Sequence, residues 1–196
     1  MVSFTASKAP AGSAPPLAVT FANTLVATRG KVRDALATPD DLTAWLAVNA
    51  VAAGADAPEA AVDEADLAQF RALRDAIRAV LRAFVDGESA PAAEVERINE
   101  ASAAAPNWPV LAADATGYAA TRRTDRAPVP AALGALAHDT AALLTGPLAA
   151  DLRACHGPGC VQFFVKDHPR REWCGPGCGN RARAARHYHR QRGHSA

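Results

Sequence analysis

Residues 155–178 read CHGPGCVQFFVKDHPRREWCGPGC, and all four cysteines of the 196-residue chain lie in this stretch. The spacing is C-x4-C-x13-C-x3-C. A structural zinc site takes four tetrahedral ligands, and thiolates supply both softness and charge. Each pair, Cys155 with Cys160 and Cys174 with Cys178, must come from one short turn so that two sulfurs meet one ion. Both turns suit that task. Their glycines (157, 159, 175 and 177) admit positive φ, and Pro158 and Pro176 stiffen the chain. Four sulfurs leave no open coordination position, so one structural Zn2+ is expected rather than a catalytic one. Two disulfides would use the same cysteines, although residues 1–16 lack the apolar run of a secretory signal. His156 or His168 is the alternative fourth ligand. A thiolate-only site carries two net negative charges, and Arg170, Arg171 and Arg181 lie near enough in sequence to offset them.

Between the cysteine pairs, Val161 to Val165 has strand-forming residues, Lys166-Asp-His-Pro supplies a turn, and Arg171 to Trp173 returns to the second pair. After it, Asn180 to Arg192 contains no proline or glycine and is rich in Ala and Arg, which predicts a helix. Knuckle, hairpin and helix in that order make a treble-clef-like layout. The segment from Arg153 to Arg192 holds nine Lys or Arg against two acids, a net +7, while the rest of the chain is −6, giving the total of +1. Such a split points to an anionic partner for the tail. On the predicted helix Ala182, Ala185 and His189 share one stripe. Arg183, Arg186 and Arg190 share another, at the spacing that lines one groove wall. Arg181, Arg183, Arg186, Arg190 and Arg192, with Lys166, Arg170 and Arg171 from the turn, are the candidate nucleic-acid contacts. Arginine suits this role because its fork holds phosphate or a guanine edge through two hydrogen bonds.

Upstream, the chain reads as mainly α. Residues 1–16 are an Ala/Pro/Ser/Gly-rich lead-in, expected to be disordered; residues 17–150 form a helical domain; residues 151–193 form the finger. Leu17 to Val26 looks helical. Thr38-Pro39-Asp40-Asp41 starts a second helix carrying Leu42, Trp45, Leu46 and Val48. Asp63 caps the strongest helix, where Leu67, Phe70, Leu73, Ile77, Val80, Leu81 and Phe84 recur every three or four residues. Ser89 and Pro91 open another, with Val95, Ile98 and Ala101 inward. Pro109 to Arg123 reads as a small β-hairpin, Pro130 to Leu144 as helix, and Leu148 to Ala154 as a short helix leading into Cys155. No paired carboxylates, Ser/His/Asp set or phosphate-cradling glycine loop stands out, and His138 is alone, so no enzyme is expected. No run reaches the roughly 18 apolar residues of a membrane span. Arginine outnumbers lysine 18 to 3, a composition that fits a high-GC bacterium, and a reducing cytoplasm is the expected compartment.

Cys178-Gly179-Asn180-Arg181, following Trp173-Cys174 and three spacer residues, resembles the signature of the CGNR zinc finger family. Leu152-Arg153-x-Cys155 before it and the Arg/Ala run after it fit the same pattern. In that family the finger follows an ABATE domain. Leu17-Ala-Val-Thr-Phe-Ala-Asn-Thr24 is similar to that domain's opening helix, with Thr20 where an aspartate often stands. Thr38-Pro-Asp-Asp-Leu-x-x-Trp-Leu46 is similar to its second helix. The resemblance implies a stress-linked transcription regulator. Together with the basic helix it makes DNA the expected partner of the finger, and the helical domain is expected to dimerise or to sense a small-molecule effector. The residues by themselves leave a second reading, a protein-interaction or assembly module whose zinc is purely structural.

Overall fold

The structure, a computed structural model, describes residues 14–28, 31–53, 62–114 and 117–193. Most of the expected lead-in (residues 1–13), residues 54–61 and residues 115–116 of the expected hairpin lie outside the described residues.

The strongest periodic stretch becomes α3, Glu64–Asp86. Asp63 and Asp66 cap each other's backbone N–H groups at its start. Gly87 ends it at φ 73°, a left-handed turn that lets the N–H groups of Gly87 and Glu88 reach the last carbonyls. Leu67, Phe70, Leu73, Ile77, Val80 and Leu81 face the core, and Phe84 sits at its rim. Four helices surround α3: α1 (Leu17–Ala22), α2 (Pro39–Ala53), α4 (Ala92–Ala104) and α5 (Pro128–Thr145). Phe21 of α1 meets Trp45 of α2 and Phe70 of α3, with ring centroids 5.1 and 6.1 Å away. Thr38 and Asp41 form the capping pair expected at the start of α2. Val48 is 83% exposed rather than inward. It lies two residues past Leu46, on the opposite side of the helical wheel. Val95 is likewise exposed, while Ile98 is buried.

Three antiparallel strand pairs punctuate the helices. The first corrects the reading of Leu17 to Val26 as one helix. α1 stops at Ala22, and Leu25–Thr28 (β1) pairs with Lys31–Asp34 (β2). The second is the expected hairpin, Trp108–Asp114 (β3) with Gly117–Arg123 (β4). The third corrects two readings. Only Ala149–Asp151 is helical before Cys155, as one 3₁₀ turn, and Leu152–Ala154 is a strand (β5). Its partner is Phe163–Val165 (β6), so the finger's hairpin forms with residues ahead of Cys155 and not with Arg171 to Trp173. Strand alternation explains this pairing. Leu152, Ala154 and Phe163 enter the helical core, whereas Phe164 turns the other way, onto the cysteines.

Polar contacts fix β6 to the helices. The Asn23 side chain donates to the Phe163 carbonyl and accepts from the Phe163 N–H, both at 2.8 Å. Gln162 donates to the carbonyls of Asn23 and Leu25. Arg78 donates to the carbonyls of Ala22 and Val161. The guanidinium groups of Arg78 and Arg82 stand 5.4 and 5.3 Å from the Phe163 ring centroid. Arg74, nearly fully buried, grips Asp34 through two hydrogen bonds of 2.6 and 2.8 Å and so pins the first hairpin to α3. The last helix, α6 (Pro176–Gly193), starts between the two cysteines of the second pair. Among the described residues, no helix is long and apolar enough to cross a membrane.

Candidate metal centre and basic helix

The knuckle between β5 and β6 brings up Cys155 and Cys160; Cys174 lies just ahead of α6 and Cys178 in its first turn. Their four Sγ atoms all lie within 4.8 Å of one another. Cys160 and Cys174 are 3.8 Å apart, Cys174 and Cys178 3.4 Å. A tetrahedron with Zn–S distances of about 2.3 Å has edges of about 3.8 Å, so the cluster fits one zinc ion. Two disulfides would draw the sulfurs into two separate pairs, but all four cysteines are free and mutually close. His156 and His168 are exposed and outside the cluster.

The electrostatics ask for a cation. Burial pushes the Cys174 thiol up, and hydrogen bonds and charge from its cysteine neighbours push the same way. Burial also dominates at Cys178, which is raised. Cys155 is lowered: burial opposes this, but the N–H groups of Cys174 and Gly157 and the neighbouring sulfurs outweigh it. Four clustered sulfurs thus cannot all ionise by themselves, and a divalent ion removes the conflict. Arg181 adds to this by donating to Cys178 Sγ at 2.9 Å. Zinc held here supplies charge and cross-linking, with all four positions filled by protein.

The glycines around the site have steric reasons. A Cβ on Gly157 would come within 2.9 Å of Cys178 Cβ and 3.2 Å of its sulfur. A Cβ on Gly179 would press on Trp173 at 3.1 Å. Residues 178–181 therefore divide the work: a ligand, a gap for the tryptophan, Asn180 accepting from Arg183, and Arg181 facing the ligand sulfur.

The structure separates the candidate nucleic-acid contacts. Arg183, Arg186 and Arg190 border one open hollow on α6, together with Ala184 and His187. Cys178, Ala182 and Ala185 form the opposite, inward stripe. Arg183 and Arg186 make no ion pair among the described residues. Arg171 is spent on its own loop: it donates to the carbonyls of Trp173, Val165 and Cys174, pairs with Asp167 and lies 5.0 Å over Phe164. Arg181 serves the metal centre. Arg170 is exposed, and Lys166 is half-buried with its backbone N–H bonded to Asp151. The side chains of Arg192 and His189 lie outside the described residues.

The Asn23 amide is used up as the staple to β6. His138 is not alone. Arg122 donates to Asn107 Oδ1 at 2.6 Å, which turns Asn107 Nδ2 toward His138 Nδ1 at 2.8 Å. That order assigns the ring proton to Nε2, which donates to Ser102 Oγ at 3.1 Å. In this arrangement His138 donates to Ser102, and the chain of bonds ties α4, α5 and β4 together. The sequence carried no signal for this network, because its members lie up to 36 residues apart.

Residues 15–147 match the family model ABATE, described as "Putative stress-induced transcription regulator". Residues 152–191 match the family model described as CGNR zinc finger. No curated protein matches the chain.

Proposed function

The chain belongs to the ABATE family and carries a CGNR zinc finger, and from that premise we propose that it is a transcription regulator that binds DNA through α6. The observation that carries this reading is the shared hollow of Arg183, Arg186 and Arg190 on the outward face of a helix whose inward face is anchored at the zinc site. Asn180 holds the Arg183 side chain, which lowers the entropy cost of placing that guanidinium on a phosphate. The finger would act as a rigid mount, with α6 lying along the backbone or in the major groove. Arg170 and Lys166 are the candidates for further phosphate contacts. The helical region would add self-association or an effector site. The layout of β5, knuckle, β6 and α6 fits a treble-clef-like finger.

Three arginines on three phosphates give a slope of log K against log[salt] of about −3. Mobility-shift titrations of the zinc-loaded chain with genomic fragments, repeated over a range of salt, measure it. A slope near zero sinks the proposal and leaves the assembly-module reading, in which a protein is the partner.

A further inference from the structure

The hairpin of β3 and β4 stands away from the core. Every residue of β4 is exposed, and of β3 only Val110 is half-buried among those whose side chains are described. Leu111 is 70% exposed and Tyr118 80%. From Trp108 to Ala113 and from Tyr118 to Thr121 there is no charged residue. A bare two-stranded ribbon is at best marginally stable in water, so cover over its exposed apolar face would stabilise it. Its root, in contrast, is firm. Arg122 joins Asn107, His138 and Ser102, and Thr124 donates to the Pro106 carbonyl at 2.8 Å. A rigid root under an apolar shaft describes an arm made to be covered.

The register of the strands sets the relief of each face. Leu111 pairs with Ala120 and Ala113 with Tyr118, so these four share one face. Large stands beside small in one row, and small beside large in the next. A second copy turned by a two-fold axis sets Leu111 and Tyr118 over the partner's alanines, so this face is complementary to itself. Nucleic acid fits poorly, since the nearest arginines sit at the root and Arg122 is engaged there. We propose that this face of the β3–β4 arm is a homodimer contact, with Leu111 and Tyr118 as its knobs. Its size sets its strength. A ribbon about 24 Å long and about 10 Å wide offers roughly 240 Å2 per face, below the roughly 800 Å2 per partner of a standard stable interface. The dimer is accordingly weak and of the transient class.

Sedimentation equilibrium of the full zinc-loaded chain without DNA, from about 10 μM to about 1 mM, tests this independently of the DNA reading. The average mass should climb from one chain toward two. Leu111→Glu/Tyr118→Glu should remain a single chain throughout, its self-association weakened at least about 100-fold. Both side chains are mostly in solvent, so zinc content and helical circular dichroism should stay unchanged and confirm folding. Wild-type protein that stays monomeric at the highest concentration would overturn the proposal and assign the arm to a different protein or to residues 1–13. A dimer that survives the double substitution would also overturn it, because the copies would then meet elsewhere.

Discussion

Gly157 shows how one missing side chain serves the metal centre. The space its Cβ would fill is occupied by Cys178, a ligand from the other half of the site. Gly157→Ala must push the two cysteine pairs apart. We expect zinc affinity to fall at least about tenfold, read by competition with a chromophoric chelator; unchanged affinity would show that the knuckle yields. Asp34 acts in a different way. Burial would raise its carboxyl, but hydrogen bonds from Arg74 and the Leu36 N–H, with the charges of Arg74 and Arg71, hold it below the usual aspartate range. A depressed folded value contributes stability above the unfolded value, and this is lost as the pH falls through the folded one. Asp34→Asn leaves buried Arg74 with only its longer contact to the exposed Asp75, at 3.4 Å, and should cost about 3 kcal/mol at neutral pH. In urea titrations that gap should narrow as the pH drops below 4; a gap independent of pH would refute the assignment.

Among the elements, the zinc finger's last helix was the easiest to read, and its arginines carry the function proposed here. Arg183→Ala/Arg186→Ala/Arg190→Ala should reduce the salt slope of DNA binding by about 3 while leaving zinc content intact. An unchanged slope would move the contact to another face. The elements misread from sequence share a cause. Leu17 to Val26 is apolar enough for one helix, yet Asn23 leaves the helix to bond the backbone of Phe163, 140 residues away. Leu152 to Ala154 has little local preference, and becomes a strand because Phe163 to Val165 lies alongside. Local periodicity cannot register a partner outside its own stretch, whether 9 to 13 residues away or 140. Where the signal was local, as in the capped α2 and α3, the expected and observed starts agree.

In the molecule as a whole, the finger is built into the helical region. Phe163 belongs to the main core, while its neighbour Phe164 belongs to the metal centre. Loss of zinc should therefore be felt beyond the tail. Chelation should lower the thermal midpoint of the α1–α5 region by several degrees, since about 1 kcal/mol shifts a domain of this size by ~2–4 °C. Calorimetry with and without chelator checks this, and an unshifted main transition would mean that finger and core unfold independently. Sequence by itself determined the four ligands, the basic stripe, the helical class and the central hairpin, because metal spacing, charge periodicity and capping are written in neighbouring residues. Only the tertiary structure decided which arginines serve the fold and which face outward, which strand partners β6, and that the finger and helices share a core. The shared core depends on atoms that meet across 140 residues of chain, and the strand pairing and arginine contacts on groups up to 13 residues apart that only the folded finger brings together, where burial and hydrogen-bond satisfaction outweigh local preference.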